Sequence, residues 1–134
     1  KIDLDFYDGQ KVSFDIKTID LKEVYKNADF ITVHVPFQGE PLITKKEIEM
    51  MKDNVGLINA ARGGVIDELD LLDALESGKV KFAGLDVFVN EPTPSMKVLM
   101  SHQISMSPHI GAATLEAQDR IGTELADQIE KLLQ

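Results

Sequence analysis

Hydrophobic and polar residues alternate at the start of the chain, on both sides of the pair Asp8-Gly9. The apolar positions are Ile2, Leu4 and Phe6 before the pair, and Val12, Phe14 and Ile16 after it. A period of two on both flanks of an Asp-Gly pair predicts two antiparallel strands joined by a tight turn, within residues 1–19. We therefore interpret Asp8 as a turn residue rather than as an acid that binds a cofactor ribose.

Short apolar runs then alternate with helical patterns along the rest of the chain. The runs predict strands over residues 30–35, 55–59, 82–87 and 104–107. Helix-capping residues precede three of the helical patterns, at Asp20, Thr44 and Asp67. Glu23 and Glu47 lie three residues after the first two caps, which predicts a capping box at each. After Thr114, one apolar stripe of about five turns predicts a long final helix; the stripe consists of Ile121, Leu125, Ile129 and Leu132. This alternation predicts an α/β domain with a parallel sheet and flanking helices.

Composition narrows the classes of protein that this chain can belong to. Its 134 residues are enough for one domain with a real core. A net charge of −9 argues against nucleic acid or an anionic membrane as a partner, because both require clustered lysine and arginine. The chain has no cysteine, which excludes disulfides and cysteine-based metal sites and is compatible with a cytoplasmic location. No apolar run approaches the roughly 20 residues of a membrane span, and no metal site is predicted.

Residues whose side chains can bind a ligand or transfer a proton lie at the ends of several predicted strands. Arg62, Glu91 and His109 lie just beyond the carboxyl end of such a strand, and Asp86 lies within the last two residues of one. Because ligands of open α/β sheets bind at that rim, we expect these side chains to converge there.

The residue types suit acid/base chemistry on a carboxylic acid substrate. An arginine can hold a carboxylate through two parallel hydrogen bonds, and a histidine can exchange a proton with an alcohol or carbonyl oxygen. A carboxylate that is hydrogen-bonded to an imidazole fixes the tautomer of the imidazole and favours the protonated imidazole. From spacing alone, however, His109 is equally compatible with a structural role. Without the neighbouring pair Gly63-Gly64, a surface cation would be the favoured interpretation of Arg62. His34 is interpreted as a structural strand residue and His102 as a solvated loop residue.

Three ordered motifs make the sequence similar to a known family. The motifs are Asn59-Ala60-Ala61-Arg62-Gly63-Gly64-Val65-Ile66-Asp67, then Gly84-Leu85-Asp86-Val87-Phe88 with Glu91-Pro92, then Ser107-Pro108-His109-Ile110-Gly111-Ala112-Ala113-Thr114. Together they resemble the D-isomer-specific 2-hydroxyacid dehydrogenases from about Leu21 to the end of the chain. The last helix resembles most the 3-phosphoglycerate dehydrogenase branch, whose reaction belongs to serine biosynthesis.

The resemblance implies a hydride transfer between NAD(H), with NADP not excluded, and a 2-hydroxy or 2-oxo acid substrate. By motif position, Arg62 would hold the substrate carboxylate, His109 would be the acid/base and Glu91 would pair with His109. Contacts with the cofactor would fall on Pro36, Ala60, Ala61, Arg62, Asp86, His109 and Gly111. The carboxyl group of Asp86 would lie near the nicotinamide carboxamide.

One expected motif, the Gly-x-Gly-x-x-Gly phosphate loop, occurs nowhere in the chain. The chain therefore resembles the second half of a Rossmann-like dinucleotide-binding domain, and we expect it to be inactive by itself. We divide it into a hairpin (1–19), an α/β half-domain (20–113) and a helix (114–134) leading to an absent substrate domain. Exposed sheet edges predict a homodimer or higher self-association. The alternative function is a non-catalytic half-domain for dinucleotide sensing or dimerisation.

Overall fold

A computed structural model describes residues 2–5 and 9–133 of the chain. Its centre is a parallel sheet of four strands, arranged in the order in which they occur along the chain. A separate antiparallel hairpin, β1 (Ile2–Asp5) and β2 (Lys11–Phe14), precedes it and pairs Leu4 with Val12. The predicted hairpin is confirmed, although Asp8 lies outside the described residues.

The strands of the parallel sheet are β3 (Phe30–Val33), β4 (Val55–Asn59), β5 (Val80–Leu85) and β6 (Ile104–Met106). The helices are α1 (Leu21–Asn27), α2 (Lys45–Met50), α3 (Glu68–Glu76), α4 (Met96–Leu99) and α5 (Leu115–Leu133). This order confirms the predicted parallel α/β fold with an N-terminal hairpin and a long C-terminal helix.

The predicted caps begin the first three helices. The side chain of Asp20 accepts a hydrogen bond from the backbone N–H of Lys22, and that of Asp67 accepts from Leu69 and Asp70. At α2, Thr44 forms the predicted capping box with Glu47. At α1 the predicted box does not form, and the carboxylate of Glu23 accepts hydrogen bonds from Lys26 and Asn27.

Several predicted boundaries were wrong. β3 ends at Val33 and β5 at Leu85, each two residues earlier than the apolar run. β5 also begins at Val80, which is fully buried and pairs with Val55. The segment 91–101 contains α4, a helix that the sequence patterns did not predict, and the hydroxyl of Ser95 caps its first turn.

One face of the sheet carries the core, while the opposite face and α5 remain open. Leu57, Ala83 and Leu85 of the sheet are buried in one core cluster with Ile48 of α2 and Leu71 of α3. In the described part of α5, no residue is buried. None of the helices in the described ranges is both long enough and apolar enough to cross a membrane.

Candidate active site

His109 and Glu91 form a directly hydrogen-bonded pair at the carboxyl rim of the sheet. Nδ1 of His109 lies 2.7 Å from Oε2 of Glu91, and the other carboxylate oxygen accepts a hydrogen bond of 2.9 Å from the backbone N–H of Phe88. These two hydrogen bonds hold the pKa of Glu91 below its ordinary value of 4.5, and the bond with His109 has the larger effect. An ionised Glu91 accepts the Nδ1 proton, so Nε2 of His109 is the nitrogen left for a ligand. Within residues 2–5 and 9–133, Nε2 has no hydrogen-bond partner.

Asp86 fixes the loop that carries His109. Its Oδ1 accepts hydrogen bonds from the hydroxyl of Ser107 (2.6 Å) and the N–H of Ile110 (3.0 Å), and its Oδ2 accepts from Gly111 (3.0 Å). Burial by itself would raise the pKa of Asp86, but these hydrogen bonds outweigh it and lower the pKa below 3.8. The bonds bracket His109, which adopts a positive φ of 54° that few non-glycine residues adopt.

Arg62 lies on the turn that follows β4, and the buried amide of Asn59 shapes this turn. Nδ2 of Asn59 donates to the carbonyl of Arg62 at 2.9 Å, and its Oδ1 accepts from the N–H of Ala61 at 3.1 Å. The exposed guanidinium of Arg62 donates to the carbonyl oxygen of Ala61. No hydrogen bond joins it to Glu91 or His109 in the described parts of the chain. It can therefore turn towards a ligand without breaking a link to the acid/base pair.

A single open cleft nevertheless brings the three predicted catalytic residues together. A volume of about 440 Å³ is lined by Pro36, Phe37, Arg62, Gly63, Phe88, Val89, Glu91 and His109. A neighbouring cleft lies at the ends of β3 and β4 and contains Ala60 and Ala61, two further residues predicted to contact the cofactor. Its lining is His34, Val35, Pro36, Ala60, Ala61 and Arg62. His34, interpreted as structural, accordingly lies at the rim, where its ring nitrogen Nε2 is 2.9 Å from the hydroxyl of Thr32.

Two contacts at this rim could not be found in the sequence. A β-carbon placed on Gly63 would lie 1.8 Å from the carbonyl oxygen of Phe88, so only glycine allows the two loops to come this close. Glu68, at the start of α3, accepts a hydrogen bond of 2.7 Å from the N–H of Val89. Both contacts join segments that are distant in sequence, so no local pattern signals them.

The rim suits the nicotinamide end of a dinucleotide. A carboxylate has about four acceptor positions, and the three bonds to Asp86 leave one on Oδ2 for an amide donor such as a carboxamide. Ala60 and Ala61 add little bulk to the cleft beside Arg62, so a planar ring can approach the backbone there. Because ligands of open parallel sheets bind at the carboxyl rim, the fold and the site place the chain in the Rossmann-like class of dinucleotide-binding domains.

Comparison with known proteins makes this class more specific. The family model described as "D-isomer specific 2-hydroxyacid dehydrogenase, NAD binding domain" matches residues 5–111. D-3-phosphoglycerate dehydrogenase from Mycobacterium leprae is 42% identical over 120 residues, which are 88% of this chain and 23% of that protein. Hydroxypyruvate reductase from Thermotoga maritima is 44% identical over 134 residues, which cover 95% of this chain and 44% of that protein.

A solved structure is similar as well. D-lactate dehydrogenase from Aquifex aeolicus, crystallised with NAD and lactic acid, superposes with a TM-score of 0.67 and 31% identity, over 86% of this chain and 40% of that one. The chain thus spans less than half the length of each of these proteins. It belongs to the D-isomer specific 2-hydroxyacid dehydrogenase family, within the NAD-binding domain. The predicted family and its cofactor, NAD, are confirmed.

Proposed function

We propose that the whole protein containing this chain is an NAD-dependent D-2-hydroxyacid dehydrogenase, with Arg62, Glu91 and His109 as its acid/base machinery. The observation that carries the proposal is the 2.7 Å contact between Glu91 and His109, in the same cleft as Arg62. The contact leaves one imidazole nitrogen facing a site that an arginine borders. That combination suits a substrate with a carboxylate next to a carbonyl or hydroxyl group.

Arg62 is the residue that would hold the substrate carboxylate. Its guanidinium presents paired donors that match the two carboxylate oxygens. The turn beneath it is fixed by Asn59, so the group projects from a rigid support although the side chain itself is exposed. A substrate anchored there would have its second carbon within the cleft that His109 also lines.

His109 would transfer the proton. In reduction, the protonated imidazole donates its Nε2 proton to the oxygen of the 2-oxo group, and in oxidation the neutral imidazole takes that proton from the hydroxyl. Ionised Glu91 stabilises the imidazolium and keeps Nδ1 protonated, so that Nε2 faces the substrate. The nicotinamide cofactor, when bound, supplies or accepts the hydride.

Asp86 and the small residues of the neighbouring cleft would position the cofactor. The free acceptor position on Asp86 suits the carboxamide, while Pro36, Ala60 and Ala61 line the cleft for the ring. Gly111, whose N–H donates to Asp86, would contact the cofactor beside that carboxyl group. In this proposal residues 20–113 are the catalytic half of the dinucleotide-binding domain, and residues 114–134 lead to a substrate domain.

The substrate we infer is a small D-2-hydroxy acid such as 3-phosphoglycerate. Support comes from the relative in Mycobacterium leprae, which is named D-3-phosphoglycerate dehydrogenase. The relative in Thermotoga maritima, named hydroxypyruvate reductase, supports the same chemistry on a related three-carbon acid. We further propose a cytoplasmic homodimer.

The test is an activity screen of the full-length protein against several 2-oxo acids, with NADH and NADPH, followed by two substitutions. His109→Asn should lower kcat by roughly 10²- to 10⁴-fold and leave cofactor binding largely intact. Arg62→Gln should instead raise KM for the 2-oxo acid by about tenfold or more, because it removes a charged partner of the carboxylate.

His102→Asn is the matched control, because His102 is an exposed turn residue outside the clefts described above. It should retain wild-type rates. Wild-type turnover in the His109→Asn protein, or absence of turnover with every 2-oxo acid in the wild type, would refute the proposed function.

A further inference from the structure

We propose that Glu68 is a positioning residue, which holds the Glu91–His109 pair at a fixed separation from Arg62. The inference rests on the proposed function, because it assigns a role within that site. Glu68 itself touches none of the three proposed catalytic side chains. Its carboxylate acts on the backbone of the loop that carries Glu91, through the 2.7 Å hydrogen bond from Val89.

Glu68 and Arg62 belong to one rigid connection. The segment between them contains Val65 and Ile66, which are only 1% and 2% exposed. Ile66 also forms a parallel bridge with the fully buried Ile43. Because this segment is anchored in the core, Arg62 at one end and Glu68 at the other are fixed relative to each other.

The 86–91 loop is fastened to this connection at two adjacent residues. Gly63 contacts the carbonyl of Phe88 so closely that no β-carbon would fit between them. The N–H of the next residue, Val89, donates its hydrogen bond to the carboxylate of Glu68. Two neighbouring contacts of different kinds fix both the position and the orientation of one peptide unit.

The same peptide region orients the acid/base pair. The N–H of Phe88 donates to Oε1 of Glu91 at 2.9 Å, and Oε2 of Glu91 binds Nδ1 of His109 at 2.7 Å. A continuous chain of contacts therefore runs from Glu68 through the Phe88–Val89 backbone to Glu91 and His109. If Glu68 releases Val89, this backbone gains freedom, and the separation between His109 and Arg62 is no longer fixed.

A simpler role for Glu68 would be that of an acidic residue stabilising the start of a helix. Capping of α3 is already performed by Asp67, which accepts from Leu69 and Asp70. Asp70 lies in the same first turn and accepts a hydrogen bond of 2.7 Å from the backbone N–H of Lys45, at the start of α2. Asp70 therefore lies in the same helix turn and accepts the same kind of bond as Glu68, but it holds a different element, away from the rim. It is the matched control.

The experiment compares Glu68→Ala, Glu68→Gln and Asp70→Ala in the full-length protein. Glu68→Ala should lower kcat by about tenfold to a hundredfold, since small displacements of reacting groups have effects of this size. KM for the 2-oxo acid should change by less than about threefold, because Arg62 still binds the carboxylate. Glu68→Gln keeps an acceptor oxygen and should recover most of kcat. Asp70→Ala should leave kcat within about twofold of wild type, whatever it does to the unfolding midpoint.

A second measurement does not depend on turnover. In NMR spectra, Glu68→Ala should accelerate hydrogen exchange at the Val89 amide and shift the imidazole signals of His109, whereas Asp70→Ala should do neither. The inference is overturned if Glu68→Ala preserves kcat, if Asp70→Ala lowers kcat equally, or if the Val89 and His109 signals stay unchanged. A wild-type protein inactive with every 2-oxo acid would refute the proposed function, and the NMR comparison would still decide whether Glu68 positions His109.

Discussion

Gly63 and Phe88 approach so closely that a β-carbon on Gly63 would lie 1.8 Å from the Phe88 carbonyl oxygen and 2.2 Å from its carbonyl carbon. Real β-carbons do not come within such distances of backbone atoms, so this contact requires glycine. The contact joins the turn that carries Arg62 to the loop that carries Glu91. The geometry of the candidate site therefore depends on a residue with no side chain.

We predict that Gly63→Ala separates these loops and destabilises the protein. The added methyl group meets backbone, which cannot change rotamer, so the loops must move apart. Overpacking of this kind costs roughly 1–3 kcal/mol. The measurements are the urea unfolding midpoint and kcat of the full-length protein. The value of kcat should fall because Glu91 and His109 shift relative to Arg62.

Gly122→Ala is the control for this substitution. Gly122 lies within α5, where a β-carbon would meet nothing within 4 Å. Alanine is favoured over glycine in a helix by about 1 kcal/mol, so Gly122→Ala should preserve or raise the unfolding midpoint. A Gly63→Ala protein as stable and active as wild type would show that the loops do not pack as described.

A second prediction concerns the titration of Glu91. Its pKa lies below 4.5, and the hydrogen bond from His109 is the largest cause. Replacing His109 with asparagine should therefore raise the pKa of Glu91 towards 4.5, as followed by NMR of its side-chain carboxyl carbon. The N–H of Phe88 still lowers the pKa in that variant, so the return should be incomplete. His102→Asn should leave the pKa of Glu91 unchanged. If the pKa of Glu91 were also unchanged in His109→Asn, that result would contradict the pairing of Glu91 with His109.

Local signals in the sequence predicted most of the fold. β4 spans the predicted residues, because its apolar run ends sharply at Asn59, where the chain turns. The caps at Asp20, Thr44 and Asp67 act within three residues of themselves, so they too are readable from sequence. The start of β5 was not predictable, since Val80 joins the strand only by pairing with Val55.

The site was predictable to a smaller extent, for a physical reason. That Arg62, Glu91 and His109 share a rim follows from the positions of the strand ends. The contacts that orient them join residues far apart in sequence, such as Glu68 with Val89 and Asp86 with Ile110. Such contacts have no periodicity or spacing in the chain, so they emerge only when the backbone is folded.

A third prediction concerns the pH dependence of stability through Asp86. In the folded state its pKa lies below 3.8, so the ionised form binds Ser107, Ile110 and Gly111 more strongly than the neutral form does. The resulting stabilisation is present above pH 3.8 and is lost as the pH falls through the lowered pKa. Asp86→Asn should therefore cost about 1–2 kcal/mol at neutral pH, and the difference from wild type should shrink below pH 3.8.

Urea titrations of wild type and Asp86→Asn at several pH values measure this difference. Asp73→Asn serves as the control, because the side chain of Asp73 is exposed and forms no hydrogen bond in the described part of the chain. A difference that persisted unchanged below the lowered pKa would show that the charge of Asp86 is not what the loop requires.

The last prediction concerns self-association of the 134-residue chain through α5. Along this helix Ile121, Leu125 and Ile129 form one stripe, and each remains about half exposed, at 53%, 55% and 49%. A helix with such a stripe is stable in water chiefly when the stripe packs against another surface. We therefore expect the chain by itself to form dimers or larger species, measured by sedimentation velocity.

Leu125→Glu should shift the population towards monomer, because it places a charge within the stripe. Thr123→Glu adds the same charge on the opposite face of the helix and should leave the distribution unchanged, so a monomeric wild type, or an equal effect of both substitutions, would exclude α5 as the contact.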